Sequence, residues 1–151
     1  MRHPFREDEE IFRAKIPSVL ERRDPLIVEA IEKLRVAGFD PDPFFDRLIL
    51  DEALQNAILH GNGGDASKAV TLRLFAGKGR WGAEVTDEGP GFDWETAMAR
   101  TVAPAPALLE GSSGRGLALI QRTAAQILFL DGGRRLVIVR DAGRVAKRER
   151  E

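Results

Sequence analysis

The sequence predicts an α+β fold: a two-layer α/β sandwich, with a mixed, mostly antiparallel sheet and helices on one face. Three observations carry that prediction. Two stretches before residue 61 place apolar residues at helical spacing. Two pairs of apolar runs are joined by turn residues and read as β-hairpins. A third helical pattern lies between the hairpins. The 151 residues suit one domain and would be cramped as two. A 43% hydrophobic content is enough to build a core.

Residues 1–9 are polar and read as a loose N-terminus. The single domain then spans 10–142, and 143–151 form a charged C-terminal tail. Residues 10–17 read as a short strand stopped by Pro17. Ser18 or Asp24 is then placed to cap a helix running to about Gly38, with Ile27, Ile31 and Leu34 on its apolar face. Asp40-Pro41-Asp42-Pro43 is a turn and helix start. The second helix covers about 43–60, with Leu50, Leu54, Ala57 and Ile58 as its stripe, and ends in the loop Gly61-Asn62-Gly63-Gly64-Asp65. Val70, Leu72 and Leu74 alternate with polar residues, as do Trp81, Ala83 and Val85, and Lys78-Gly79 turns between them. Residues 88–112 read as a long irregular loop, a feature that is usually functional inside a compact domain. A helix with Leu117, Ile120, Ala124 and Ile127 on one face follows. The runs 127–130 and 136–139 then flank the hairpin turn Asp131-Gly132-Gly133-Arg134.

Composition excludes several classes of chemistry. There is no cysteine, which removes disulfides, thiolate metal sites and cysteine nucleophiles. The only histidines are His3 and His60, too few for a multi-histidine centre. A net charge of −1 gives no overall basic field for direct nucleic-acid binding. No apolar run approaches the roughly 20 residues needed to cross a bilayer, and the N-terminus lacks an apolar leader. The expectation is a cytoplasmic domain without a membrane partner.

Three constellations remain. Glu52, Asn56 and His60 fall at i, i+4 and i+8 of the second helix, beside its apolar stripe. That spacing offers a carboxylate and an amide to a cavity, although a plain solvated face has the same pattern. His60, taken alone, fits a structural hydrogen-bonding role. In Asp87-Glu88-Gly89-Pro90-Gly91, Asp87 keeps the parity of Trp81, Ala83 and Val85 and so points to their side. A carboxylate at that depth needs donors, which a ligand amine would supply. Gly89 and Gly91 permit close backbone approach, but a glycine turn with a capping aspartate explains them equally. Gly111-Ser112-Ser113-Gly114-Arg115-Gly116-Leu117 precedes a helix, where free N–H groups and the dipole favour an anion. There is no G-x-x-x-x-G-K-[ST] and no G-x-S-x-G. The G-x-G-x-x-A match at 61–66 follows a helix rather than a strand and is rejected.

Taken in order, these pieces resemble the ATP-binding module of the GHKL superfamily, which has the Bergerat-type fold. Glu52 and Asn56 resemble its N box, Asp87-x-Gly89-x-Gly91 its first glycine box, and Gly114-x-Gly116-Leu117 its second. The run from Glu52 through His60 to Asn62 looks most like the small anti-sigma-factor serine/threonine kinases. The likeness covers about residues 10–140. It implies ATP and Mg²⁺ as cofactors. Asp87 would accept from the adenine amino group and Asn56 would supply an oxygen to Mg²⁺. Glu52 would be the general base, and His60, Gly114, Arg115, Gly116 and Leu117 would join Gly89 and Gly91 around the nucleotide. Residues 92–112 would form a lid. The partners it implies are a sigma factor and a hydroxyl-bearing anti-anti-sigma (STAS) protein, with a homodimer compatible. The sequence departs from close relatives at Gln121-Arg122-Thr123-Ala124-Ala125-Gln126, which lacks an acidic residue near the helix end. Two other functions share the same boxes: a non-catalytic, ATP-responsive binding module, and the detached ATP-binding half of a histidine kinase.

Overall fold

Alternating apolar residues build five strands into one sheet. A computed structural model describes residues 2–96, 118, 120–122 and 124–141. The strands are β1 (Glu10–Pro17), β2 (Ala69–Gly77), β3 (Arg80–Thr86), β4 (Gln126–Leu130) and β5 (Arg135–Asp141). Their spatial order is β1-β2-β3-β5-β4, and each described pairing is antiparallel. Two helices, α1 (Arg23–Val36) and α2 (Phe45–Gln55), cover one face. This is the two-layer α/β sandwich expected from the alternation.

The core sits between the layers. Leu26, Ile27, Ala30, Ile31 and Leu34 of α1 meet Ile49, Leu50, Ala53 and Leu54 of α2 over Leu72, Leu74, Trp81, Ala83 and Ile138 of the sheet. Ala57 and Ile58 extend this stripe as predicted. The helices are cross-tied by Arg23, whose guanidinium lies 3.0 Å from Asp51 and donates to Gln55 at 3.0 Å. Buried Asp46 accepts from Arg140 of β5 at 2.6 Å and from the Asp42 N–H at 2.7 Å, which locks the start of α2 to the sheet.

Several local details differ from the sequence reading. Neither Ser18 nor Asp24 caps α1; its N-cap is Arg22 and receives no side-chain bond. Asp24 instead pairs with Arg47 on α2. Ser18 is buried and donates to the Lys68 carbonyl at 2.7 Å. Gly38 does end α1, at φ 98°, with its N–H on the Arg35 carbonyl. Ile127 belongs to β4, opposite Ile138, rather than to the preceding helix. Its fit to both periodicities made it ambiguous, and pairing with β5 decides it. Ile120 is helical and buried as expected. The tail 143–151 lies outside the described residues.

Residues 2–9, polar by composition, pack along the outer face of the sheet. Phe5 is buried, stacked on Phe75 at 5.4 Å between centroids, and the Arg80 guanidinium lies 4.6 Å from its ring centre. Gly82 makes room for it: a Cβ there would lie 2.2 Å from Phe5 Cε2. Glu84, 1% exposed, sits on the same face beside Arg73 at 3.0 Å and Arg135 at 3.4 Å. One aromatic plug and a set of charge pairs therefore seat this arm where polar composition predicted a loose end.

Truncating Phe5→Ala should lower stability by about 3 kcal/mol, the scale of losing a buried aromatic ring. Urea unfolding measures it. A change below about 0.5 kcal/mol, typical of surface substitutions, would show that the arm is not held by this ring.

Candidate functional site

The site is built where the end of the second helical segment meets the end of β3. α2 does not run on as an α-helix to residue 60. It widens into a single π-turn over Asn56–Gly61, with the Asn62 N–H on the Ala57 carbonyl at 2.9 Å. Such turns are rare and recur at functional sites. Glu52 and Asn56 keep the i, i+4 relation at the end of α2, and both are partly exposed. His60 lies within the π-turn and is exposed.

Asp87 follows β3 directly and keeps the inward parity of Trp81, Ala83 and Val85, as the alternation required. It is partly buried. Its Oδ1 accepts from the Gly89 N–H at 2.8 Å, and its Oδ2 accepts from no described residue. Burial pushes the pKa of Asp87 up, against the Gly89 hydrogen bond and the positive charges of Arg134 and Lys68, which pull it down. The result is an oriented carboxylate with one oxygen available to a donor.

Two predicted constellations come together here. Gly61 lies against Asp87, and a Cβ on Gly61 would be 2.3 Å from Asp87 Cγ. A Cβ on Gly89 would be 1.8 Å from the Gly61 carbonyl oxygen. A side chain at Gly89 would collide with the Gly61 main chain, and one at Gly61 would collide with the Asp87 side chain. Gly91, at φ 83°, is packed against the Gly132 carbonyl oxygen in the same way, at 2.4 Å from a Cβ. The third constellation, with Gly114, Arg115, Gly116 and Leu117, lies outside the described residues, as does most of the expected lid. The described start of that segment is anchored: Phe92 meets Phe129 edge-on at 5.3 Å, and Trp94 stacks on Phe129 at 5.9 Å.

Two residues of this site escaped the sequence reading. Asn62 is buried; its amide donates to Ser18 Oγ at 2.8 Å and to the Ala69 carbonyl at 2.9 Å, and its Oδ1 accepts from the Glu88 N–H at 2.7 Å. Its place in Gly61-Asn62-Gly63 reads only as a loop, although an asparagine there has three polar bonds to satisfy. Arg134 donates from Nε to the Gly89 carbonyl at 2.8 Å. In sequence it is only the last residue of a hairpin turn.

The fold is a two-layer α/β sandwich with a half-buried carboxylate and close-packed glycines at one end of the sheet. The family model for the histidine kinase-like ATPase domain matches residues 23–144, and the chain belongs to that family. This supports the GHKL-type ATP-binding module read from the boxes. A search of curated proteins finds no match to the chain. Among the described residues, no helix is long and apolar enough to cross a membrane.

The chemistry of the described groups is compatible with an adenine nucleotide. Asp87 offers an acceptor to an exocyclic amino group, while the space beside Gly61 and Gly89 is taken up by Asp87 and by the Gly61 carbonyl. Asn56 offers an amide oxygen of the hard type that Mg²⁺ takes.

Replacing Asn62 by Ala should cost about 2–3 kcal/mol in urea unfolding, because it leaves the Glu88 N–H and the Ala69 carbonyl without their buried partner. Asn62→Asp keeps the acceptor for Glu88, loses both donations, and should also destabilise. Wild-type stability in both variants would show that this junction does not depend on the amide.

Proposed function

We propose that this chain is an ATP-dependent serine/threonine protein kinase of the anti-sigma type, which binds a sigma factor and phosphorylates a STAS partner on a hydroxyl. The observation that carries the reading is the direct packing of the N-box end on the first glycine box around Asp87, with Asn56 one turn and Glu52 two turns upstream. The resemblance of the Glu52–Asn62 run to those kinases supplies the finer assignment.

Bound Mg-ATP would supply the phosphoryl group and the cation that neutralises its charge. Each residue then has a limited task. Asp87 Oδ2 accepts from the adenine amino group, which an oxo group at the same ring position cannot satisfy. Asn56 would hold the cation through its amide oxygen. Glu52 takes the proton from the partner's hydroxyl as that oxygen bonds to phosphorus and the bond to the leaving ADP oxygen breaks. Phosphoryl transfer needs mainly positioning and charge neutralisation, so one carboxylate and one amide suffice beside the phosphate-holding backbone expected at Gly114–Leu117.

The family match serves equally a detached histidine-kinase ATP half. Phosphate on a partner that is acid-labile, rather than stable as a phosphoserine or phosphothreonine, would favour that reading. Transfer of labelled phosphate from ATP to a STAS protein of the same genome, lost in Glu52→Ala with ATP binding kept, is the expected result. No transfer to any such protein overturns the kinase reading. Partner control in cells that survives Glu52→Ala would mean a non-catalytic ATP-responsive module.

The raised pKa of Asp87 gives a pH dependence with a definite sign. The ionised carboxylate is the better acceptor, so ATP affinity should be full near neutrality. It should fall on acidification, beginning at a higher pH than an exposed aspartate would give. Calorimetric titration with ATP across pH checks this, and Asp87→Asn should bind weakly at every pH.

A further inference from the structure

The hairpin turn between β4 and β5 bears on the first glycine box through one side chain. The Arg134 guanidinium forms a fork over three carbonyls: Nε on Gly89 at 2.8 Å, one terminal nitrogen on Asp131 at 3.1 Å, and the other on Pro90 at 3.4 Å. Its backbone joins in, because the Arg134 carbonyl accepts from the Asp87 N–H at 3.0 Å. The Gly132 carbonyl accepts from the Phe92 N–H at 3.0 Å. The turn reaches this pose through consecutive left-handed residues, Asp131 at φ 54°, Gly132 at 65° and Gly133 at 95°. A left-handed conformation at a non-glycine residue is uncommon and is held by its surroundings.

The consequence passes along a short chain of contacts. Arg134 fixes the Gly89 carbonyl, and the N–H of the same glycine fixes Asp87 Oδ1 at 2.8 Å. The orientation of Oδ2 therefore depends on where Arg134 holds Gly89. We propose that Arg134 is a positioning residue for nucleotide recognition: it orients the Asp87 carboxylate and so sets both the affinity for ATP and the preference for a 6-amino over a 6-oxo purine. This rests on the reading of Asp87 as the adenine acceptor. The guanidinium is suited to the task because it is planar and always charged, and one group can engage several carbonyls at fixed angles, which a lysine ammonium cannot reproduce. It is also 39% exposed, so it bears little of the core and can be altered without opening a cavity.

The test is calorimetric titration of the full chain with Mg-ATP and Mg-ITP, which differ only at the purine 6-position. Wild type is compared with Arg134→Ala, Arg134→Lys, Asp87→Asn and Lys78→Ala. The last removes an exposed charge at the distant β2–β3 turn. Arg134→Ala should weaken ATP binding about tenfold, the scale of one charge-assisted hydrogen bond. It should weaken ITP binding less, so that the ATP-to-ITP preference narrows. Arg134→Lys should fall between the two, and Lys78→Ala should match wild type. Thermal melting of each variant separates loss of fold from loss of binding. ATP and ITP affinities that fall by the same factor in Arg134→Ala would overturn the positioning role and leave a merely structural one. If Asp87→Asn loses ATP while Arg134→Ala binds like wild type, this inference fails and the adenine reading stands. Wild type that binds no nucleotide, or Asp87→Asn that binds ATP normally, overturns both.

Discussion

The site depends on one close contact, that of Gly61 with Asp87 and Gly89. The Gly61 carbonyl lies where a Gly89 side chain would begin, and the Asp87 carboxylate lies where a Gly61 side chain would begin. A larger residue at Gly89 would displace the Gly61 main chain, and one at Gly61 would displace Asp87. The π-turn over Asn56–Gly61 delivers Gly61 to this point, and Asn62 then secures it by spanning from the start of β2 to the glycine box. A site that needs an amide on a helix and a carboxylate on a strand obtains both through this packing.

The outer face of the sheet supports the same arrangement from behind. β3 is the strand that leads into Asp87, and it is buried on both sides along its centre. Toward the helices it presents Trp81, Ala83 and Val85; away from them, Gly82 lies under Phe5, and Glu84 is enclosed by Arg73, Arg135 and His3. Enclosing a carboxylate is tolerable only when it is paired, and three cationic or ionisable neighbours meet that need. β3 is thereby covered on both faces at its centre, and Asp87, the proposed acceptor, lies just beyond its end.

Much of this was legible in the sequence because period-2 and period-3.6 patterns survive in it. The strand at Glu10–Pro17, both hairpins, the Leu50–Ile58 stripe and the inward parity of Asp87 follow from side-chain alternation alone. What escaped were features set by tertiary contact. Ser18 looks like a cap and is instead a partner of Asn62, because a hydroxyl bonds equally well to a distant carbonyl. The π-turn that holds His60 is a change of helix type that no periodicity announces. Phe5 was hidden in a polar terminus, and its value arises only against Gly82, far along the chain. Arg134 showed no signature of its link to the glycine box, since Gly89 and Pro90, whose carbonyls it reaches, belong to another loop.

The surroundings of Asp87 balance two opposed requirements. In the proposed role of adenine acceptor, preference for a ligand amino group over water needs the carboxylate partly withdrawn from solvent, and that withdrawal raises its pKa. To act as an acceptor it must stay ionised, and the Gly89 N–H, Arg134 and Lys68 all act in that direction. The Gly89 hydrogen bond also satisfies one oxygen internally, so the lone pairs of the other stay directed toward the site. A deeper carboxylate would hold its proton and recognise the base poorly, and a shallower one would be hydrated and discriminate little. Half-burial with one internal donor lies between these limits, and it requires the close glycine packing that the fold places at the end of β3.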